Sequence, residues 1–284
     1  MASGVAVTYH CPTELNSALQ LISQHQSTVI AGGTDVFPAE KQGHTPETLF
    51  DVTRIDGFRD ITQSARQIRI GAATTWTQII QADLPPAFDA LKSAAREVGS
   101  IQIQNSGTIA GNLCNASPAA DGVPPLLCLN ASVELESATR GARNLPLSEF
   151  IKGVRQTDRQ SDELVTAITL PKPSINASSA FEKLGSRRYL VISIAMTAVQ
   201  LELDEHGHMM DARVAIGACS PVAQRLPDLE SHMNDQHPTD IQVTTEHLKP
   251  LNPIDDVRGS ADYRLEVVAE QCQRAIRKAA KDDT

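Results

Sequence analysis

Two stretches of small and polar residues, far apart along the chain, constrain its fold more than any other feature: Thr108–Asp121 (TIAGNLCNASPAAD) and Thr28–Val36 (TVIAGGTDV). In Thr108–Asp121, no apolar stripe recurs at helical spacing, alternation fails after Ile109, and no charge appears before Asp121. It therefore reads as a loop that exposes its backbone. Gly111 has no Cβ and is free to take positive φ, so peptide N–H groups can approach an anion closely. Thr108, Asn112, Asn115 and Ser117 add hydrogen-bonding groups. The expected guest is a phosphate. In Thr28–Val36 a short apolar strand runs into Gly32-Gly33 and then Thr34-Asp35, which reads as another anion cradle. A glycine-rich turn alone is usually only a turn, so the weight of the argument rests on the pair.

Ala31–Asp35 (AGGTD) followed by T-I-x-G-N-x-x-x-x-x-P-x-x-D at Thr108–Asp121 resembles the FAD-binding subunit of the molybdenum hydroxylases. That family includes xanthine dehydrogenase, the medium subunit of aerobic carbon monoxide dehydrogenase, and nicotinate and aldehyde relatives. A later KLGSRR segment and the GSADYR opening of the last helix also fit, in the family's order. The resemblance implies an α+β chain. Its FAD-binding fold would have two subdomains of the vanillyl-alcohol-oxidase-like (PCMH) type, joined to a smaller C-terminal domain of antiparallel sheet and helices. The boundaries expected are 1–173 for the FAD-binding domain, with subdomains about 1–57 and 58–173, and 174–284 for the C-terminal domain.

By the same resemblance, Ala31, Gly32, Gly33, Thr34 and Asp35 form one pyrophosphate loop, and Thr108, Gly111 and Asn112 the other. Asn115 and Asp121 lie further along the cofactor, Lys183 near the isoalloxazine, and Arg187 beside the flavin rim. A cation near the ring would favour the anionic reduced flavin. Two departures stand out. Ala110 replaces a glycine common in the family, and Val98 stands where xanthine dehydrogenases tend to carry an aromatic ring, for which Tyr189 is a candidate substitute.

Composition narrows the partners. The net charge of −9 makes nucleic acid and anionic membrane improbable ligands, and a diphosphate must then be held by oriented amides and a few local cations. Cys11, Cys114, Cys128, Cys219 and Cys272 are scattered, with no C-x-x-C pair. Disulfide scaffolding and zinc or iron–sulfur ligation are therefore not expected, so molybdopterin and [2Fe–2S] clusters would sit on partner chains. No signal-peptide pattern and no long apolar run occurs, from which a cytoplasmic location is expected.

Taken in order, a helix is expected after Pro12-Thr13 with Leu15, Ala18, Leu19 and Ile22 inward, then strands at Thr28 and at Thr48–Ile55. Another strand follows at Gln67–Ala72, then a turn of helix capped by Thr74 or Thr75, with Trp76 in the core. Pro85-Pro86 opens a helix that ends at Gly99, and Asp121 caps a short helix through Leu129. Strands at Ala131–Glu136 and Glu163–Leu170 lead to a linker at Pro171–Pro173. A hairpin of Ser193–Asp204 with Met209–Ser220 then precedes helical segments at Gln224–Met233 and Thr239–Leu248, and a last helix capped by Ser260.

The expected reaction is electron relay from the partner's iron–sulfur clusters through FAD to NAD+, oxygen or another acceptor. No catalytic side chain is required, because the cofactor carries the chemistry. HExxH, G-x-S-x-G, P-loop and G-x-G-x-x-G motifs are all absent. The alternatives are a stand-alone FAD-dependent oxidase, for which His44 is the one histidine close in sequence to a loop, and an assembly or binding subunit without cofactor.

Overall fold

The computed structural model describes residues 7–40, 46–188 and 190–281; His44 and Tyr189 lie outside the described residues. At the N-terminus, β1 (Thr8–His10), α1 (Leu15–Gln24), β2 (Thr28–Ile30), α2 (Val36–Glu40) and β3 (Thr48–Asp51) build a small parallel sheet of order β1-β3-β2. Helix α1 buries Ala18, Leu19 and Ile22, as its spacing requires. The strand expected to reach Ile55 stops at Asp51, whose carboxylate accepts the Thr53 amide at 2.7 Å and turns the chain.

The chain continues through β4 (Ile61–Gln63), β5 (Gln67–Gly71), α3 (Trp76–Gln81), α4 (Asp89–Glu97), α5 (Ile101–Ser106), α6 (Ile109–Asn115) and α7 (Val123–Cys128). Then come β6 (Ser132–Ser137), β7 (Gly141–Pro146), α8 (Leu147–Phe150), β8 (Ile151–Gly153), β9 (Gln156–Thr157) and β10 (Glu163–Pro171). An antiparallel sheet of order β4-β5-β10-β6-β7 results, with β10 buried along its length up to Pro171. Thr75 and Gln78 form a capping box on α3, and Trp76 is in the core.

Two expectations fail around the second glycine stretch. Residues 109–115 are helix, not open loop: Ile109, Leu113 and Ala116 form a buried stripe at i, i+4 and i+7. The stripe amounts to only three residues over two turns, and small neighbours hide it. Nor does Asp121 cap α7, whose N-cap is Gly122 without a side-chain bond; the Asp121 carboxylate is engaged elsewhere.

In the C-terminal part, β11 (Ser178–Leu184), β12 (Ala195–Leu203), β13 (Met209–Gly217) and β14 (Gln224–Arg225) form an antiparallel sheet in that order. They are joined by α9 (Pro227–Met233) and α10 (Ala261–Ala279). Ser260 caps α10 by accepting the Tyr263 amide, and Val268, Cys272, Ala275, Ile276 and Ala279 pack inward. The second expected helix, Thr239–Leu248, does not form beyond a single 3₁₀ turn at Pro238–Asp240. Val243, Thr244 and Thr245 are β-branched in succession, and the Thr244 amide donates to His247 Nδ1 at 3.2 Å instead. Among the described residues, no helix is long and apolar enough to cross a membrane.

Candidate functional site

Strand β2 ends at Ile30, and the chain turns through Ala31–Asp35 into α2. The amides from Ala31 to Val36 have no acceptor among the described residues. Six successive free N–H groups between a strand and a helix make a concave donor surface for an anion. Gly33 helps to shape it at φ +67°, a conformation that side chains strain. Gly32 has a different reason: a Cβ there would lie 1.9 Å from the Ser106 carbonyl oxygen and 2.9 Å from the Gly107 nitrogen. The first stretch thus rests directly on the backbone leading into the second.

That contact produces one cleft of about 360 Å³. Ala31, Gly32, Gly33, Thr34 and Asp35 line one wall, Thr108, Gly111, Asn112 and Asn115 the other, with Trp76, Val98 and Ile103 between them. Nine of the eleven residues singled out from the sequence as site residues share this cleft.

The two walls do not work alike. Amides of the second stretch are already spent: Ile109 donates to Thr74 O at 3.0 Å, Ala110 to Ala72 O at 3.3 Å and Asn112 to Thr108 O at 3.0 Å. The Gly111 amide donates to the Thr108 hydroxyl at 3.1 Å, and its φ is not positive. This wall cannot form an amide cradle as expected from its sequence. It presents side chains instead, and Asn112 Oδ1 is buried without a hydrogen-bond partner among the described residues. An orphaned buried acceptor beside an open cleft is the mark of a missing guest.

Asp121 and Lys183 lie outside the cleft and hold each other. Lys183 Nζ is 2.7 Å from Asp121 Oδ2, with the side chains 6% and 9% exposed, and also donates to Glu97 O at 3.2 Å. The Ser193 hydroxyl donates to Asp121 Oδ1 at 2.7 Å. Burial pushes the Asp121 carboxyl up, against the opposing pull of Lys183 and Ser193. The cluster ties β11 to the end of α4 and to the turn before α7. Arg187 also lies outside the cleft, donating to Leu190 O at 2.6 Å.

Sequence reasoning missed a neighbouring cavity of about 460 Å³, which shares Val29, Ala31, Gly111 and Cys114 with the cleft and adds Arg155 and Arg159. Arg155 is placed by a left-handed backbone (φ 58°) and by its amide's bond to Ala116 O at 2.9 Å. The short β8–β9 hairpin that carries it left no periodic signal. Val98 lines the main cleft, so the departure noted there falls where a ligand would meet it.

The sequence matches the family described as FAD binding domain in molybdopterin dehydrogenase over residues 5–173, and the CO dehydrogenase flavoprotein C-terminal domain over residues 179–279. It is 35% identical over 207 residues to the nicotinate dehydrogenase FAD-subunit of Eubacterium barkeri, covering 70% of each chain. It is 29% identical over 281 residues to a putative xanthine dehydrogenase FAD-binding subunit of Escherichia coli, covering 96% of this chain and 95% of that one. Among solved structures, reconstituted CO dehydrogenase from Oligotropha carboxidovorans superposes with a TM-score of 0.88 at 26% identity, covering 99% of both chains.

Proposed function

Since the chain belongs to the FAD-binding family of the molybdopterin dehydrogenases and carries their CO dehydrogenase flavoprotein C-terminal domain, we propose that it is the electron-relaying flavoprotein subunit of a molybdenum hydroxylase. In this reading a partner chain with [2Fe–2S] clusters delivers electrons, and a large molybdopterin chain oxidises the substrate. NAD+ or another acceptor collects the electrons in the cytoplasm. Residues 1–173 form the cofactor domain, with subdomains about 1–57 and 58–173, and residues 174–284 the C-terminal domain.

The observation that carries the reading is the cleft where both glycine stretches meet, with six unused amides on one wall and an orphaned Asn112 oxygen on the other. FAD fits that donor set, and when bound it supplies the redox chemistry. The chain's own residues bind and orient. Amides of Ala31, Gly32, Gly33, Thr34 and Asp35 hold the diphosphate as oriented dipoles, so a chain of net charge −9 needs no phosphate-binding lysine there. Thr108, Gly111, Asn112 and Asn115 form the facing wall, with the two asparagines offering amide groups to the ligand. Asp121 and Lys183 act as a positioning pair that fixes the C-terminal sheet against the cofactor domain.

The test is a co-purification. Expressed with its iron–sulfur and molybdopterin partners, the complex is expected to be yellow and to release stoichiometric FAD on denaturation. A complete complex that is colourless and yields no FAD would overturn the proposal and favour an assembly role.

A further inference from the structure

The GSADYR stretch that opens α10 takes no part in the cofactor cleft, yet its last residue, Arg264, is the one arginine buried among the described residues, at 1% exposed. A guanidinium stays charged at any working pH, so an interior position is costly unless partners meet it. Asp256 Oδ1 accepts from Nη2 at 2.7 Å, while Nη1 donates to the Ile194 carbonyl and, at 3.3 Å, to the Ala218 carbonyl. Nε is buried with no partner among the described residues. An unpaired buried donor works against stability, so the pose is set by what the other nitrogens hold. Both carbonyls belong to residues that sit beside the chain leaving the cleft. The Ala218 amide donates to Pro118 O at 2.9 Å, from a left-handed backbone (φ 63°) that a side chain strains. Next to Ile194, the Ser193 hydroxyl donates to Asp121 Oδ1 at 2.7 Å. Pro118 and Asp121 follow closely on Asn115, which lines the cleft.

We propose that Arg264 is a positioning residue for the cofactor wall: by holding Ile194 and Ala218 together, it keeps Pro118 and Asp121 where Asn112 and Asn115 can face FAD. The inference rests on the flavoprotein reading and extends it to a side chain outside the cleft. A guanidinium suits the task because its planar fork reaches two carbonyls and a carboxylate at fixed angles, whereas an ammonium is a point charge on a flexible stem. Arg258, whose Nε donates to Asp256 Oδ2 at 3.0 Å, steadies that carboxylate from the segment before α10. Coupling to the cleft runs through hydrogen bonds and one short peptide run, each link of which is packed in place.

The experiment compares FAD dissociation constants, read from quenching of flavin fluorescence, with urea midpoints in variants of the full chain. Arg264→Met removes the charge and keeps the side-chain length. It is expected to unfold at lower urea and, where still fully folded, to bind FAD roughly tenfold more weakly. Arg264→Lys keeps a positive charge beside Asp256 and is expected to regain much of the urea midpoint while FAD still binds weakly, because one ammonium cannot span both carbonyls. Ile276→Ala, a core truncation in the same helix, lowers the urea midpoint without touching either carbonyl and is expected to leave FAD affinity unchanged. Faster hydrogen exchange across residues 117–121 of the FAD-free protein is expected in the two Arg264 variants only. Unchanged FAD affinity in Arg264→Met, or an equal loss in Ile276→Ala, would overturn the proposal. Should Arg264→Met not fold, Arg264→Lys set against Ile276→Ala makes the same decision. If the wild-type protein takes up no FAD, the flavoprotein reading falls, and the exchange rates still decide whether Arg264 holds that segment.

Discussion

Gly32 is the position on which the site depends most sharply. Gly32→Val places a Cβ against the Ser106 carbonyl oxygen and forces apart the two stretches that make the cleft. The expected outcome is a chain with native far-ultraviolet circular dichroism, a lower melting temperature and little bound flavin, read from the ratio of visible to ultraviolet absorbance. Full flavin content would show that the cleft does not hold the cofactor. The Asp121–Lys183 pair makes a separate prediction. Asp121→Ala leaves a buried ammonium with only the Glu97 carbonyl as partner, at a cost of about 3 kcal/mol or more in urea unfolding. The double change Asp121→Leu/Lys183→Met is expected to recover most of that loss, because removing both charges also removes the desolvation cost. A double variant as unstable as Asp121→Ala would contradict it.

At the scale of elements, α6 and α10 show how local chemistry sets the site and its support. Thr108 caps α6 through the Gly111 amide, so Thr108→Ala should cost about 1 kcal/mol and loosen the wall that carries Asn112. In α10, Arg264 is almost wholly buried, donating to the carbonyls of Ile194 and Ala218 and to Asp256 Oδ1 at 2.7 Å. Arg258 beside Asp256, aided by Arg264, holds that carboxyl down at about 2. A carboxyl lowered on folding stabilises the native state in full above its unfolded value of about 4, and the contribution is lost as pH falls through about 2. Urea midpoints measured between those limits should fall with pH, and less steeply in Asp256→Asn. Identical slopes would show that the pair adds no pH dependence. Much at this scale was legible: α1, α3, α4, α10 and the β12–β13 hairpin follow from periodicity and caps. Helix α6 was hidden because a two-turn helix offers too few apolar positions to outweigh its small polar residues. The Thr239–Leu248 segment erred the other way, its amphipathic look overruled by β-branching.

For the whole molecule, the main apolar core does not stop at the cofactor domain. It runs from Phe50, Ile68 and Trp76 through Leu126 into Phe181, Met196, Ala198 and Ala215 of the C-terminal sheet. Shared burial of this kind couples the two parts, so one cooperative thermal transition is expected, with calorimetric and van't Hoff enthalpies in agreement. A chain truncated after Pro173 should expose apolar surface and bind a hydrophobic dye. Two resolved transitions would show that the parts are independent. The sequence by itself singled out the two glycine-bearing stretches and their asparagines, because a backbone that must meet an anion tolerates few side chains, whereas Lys183 came from the family resemblance alone. Only the tertiary structure decided how they divide the work. It left six amides of one stretch free, consumed those of the other in the start of α6 and in bonds to the Ala72 and Thr74 carbonyls, and paired Asp121 with Lys183 across the molecule. Hydrogen-bond partners come from residues distant in sequence, and no local pattern records which donors will already be satisfied.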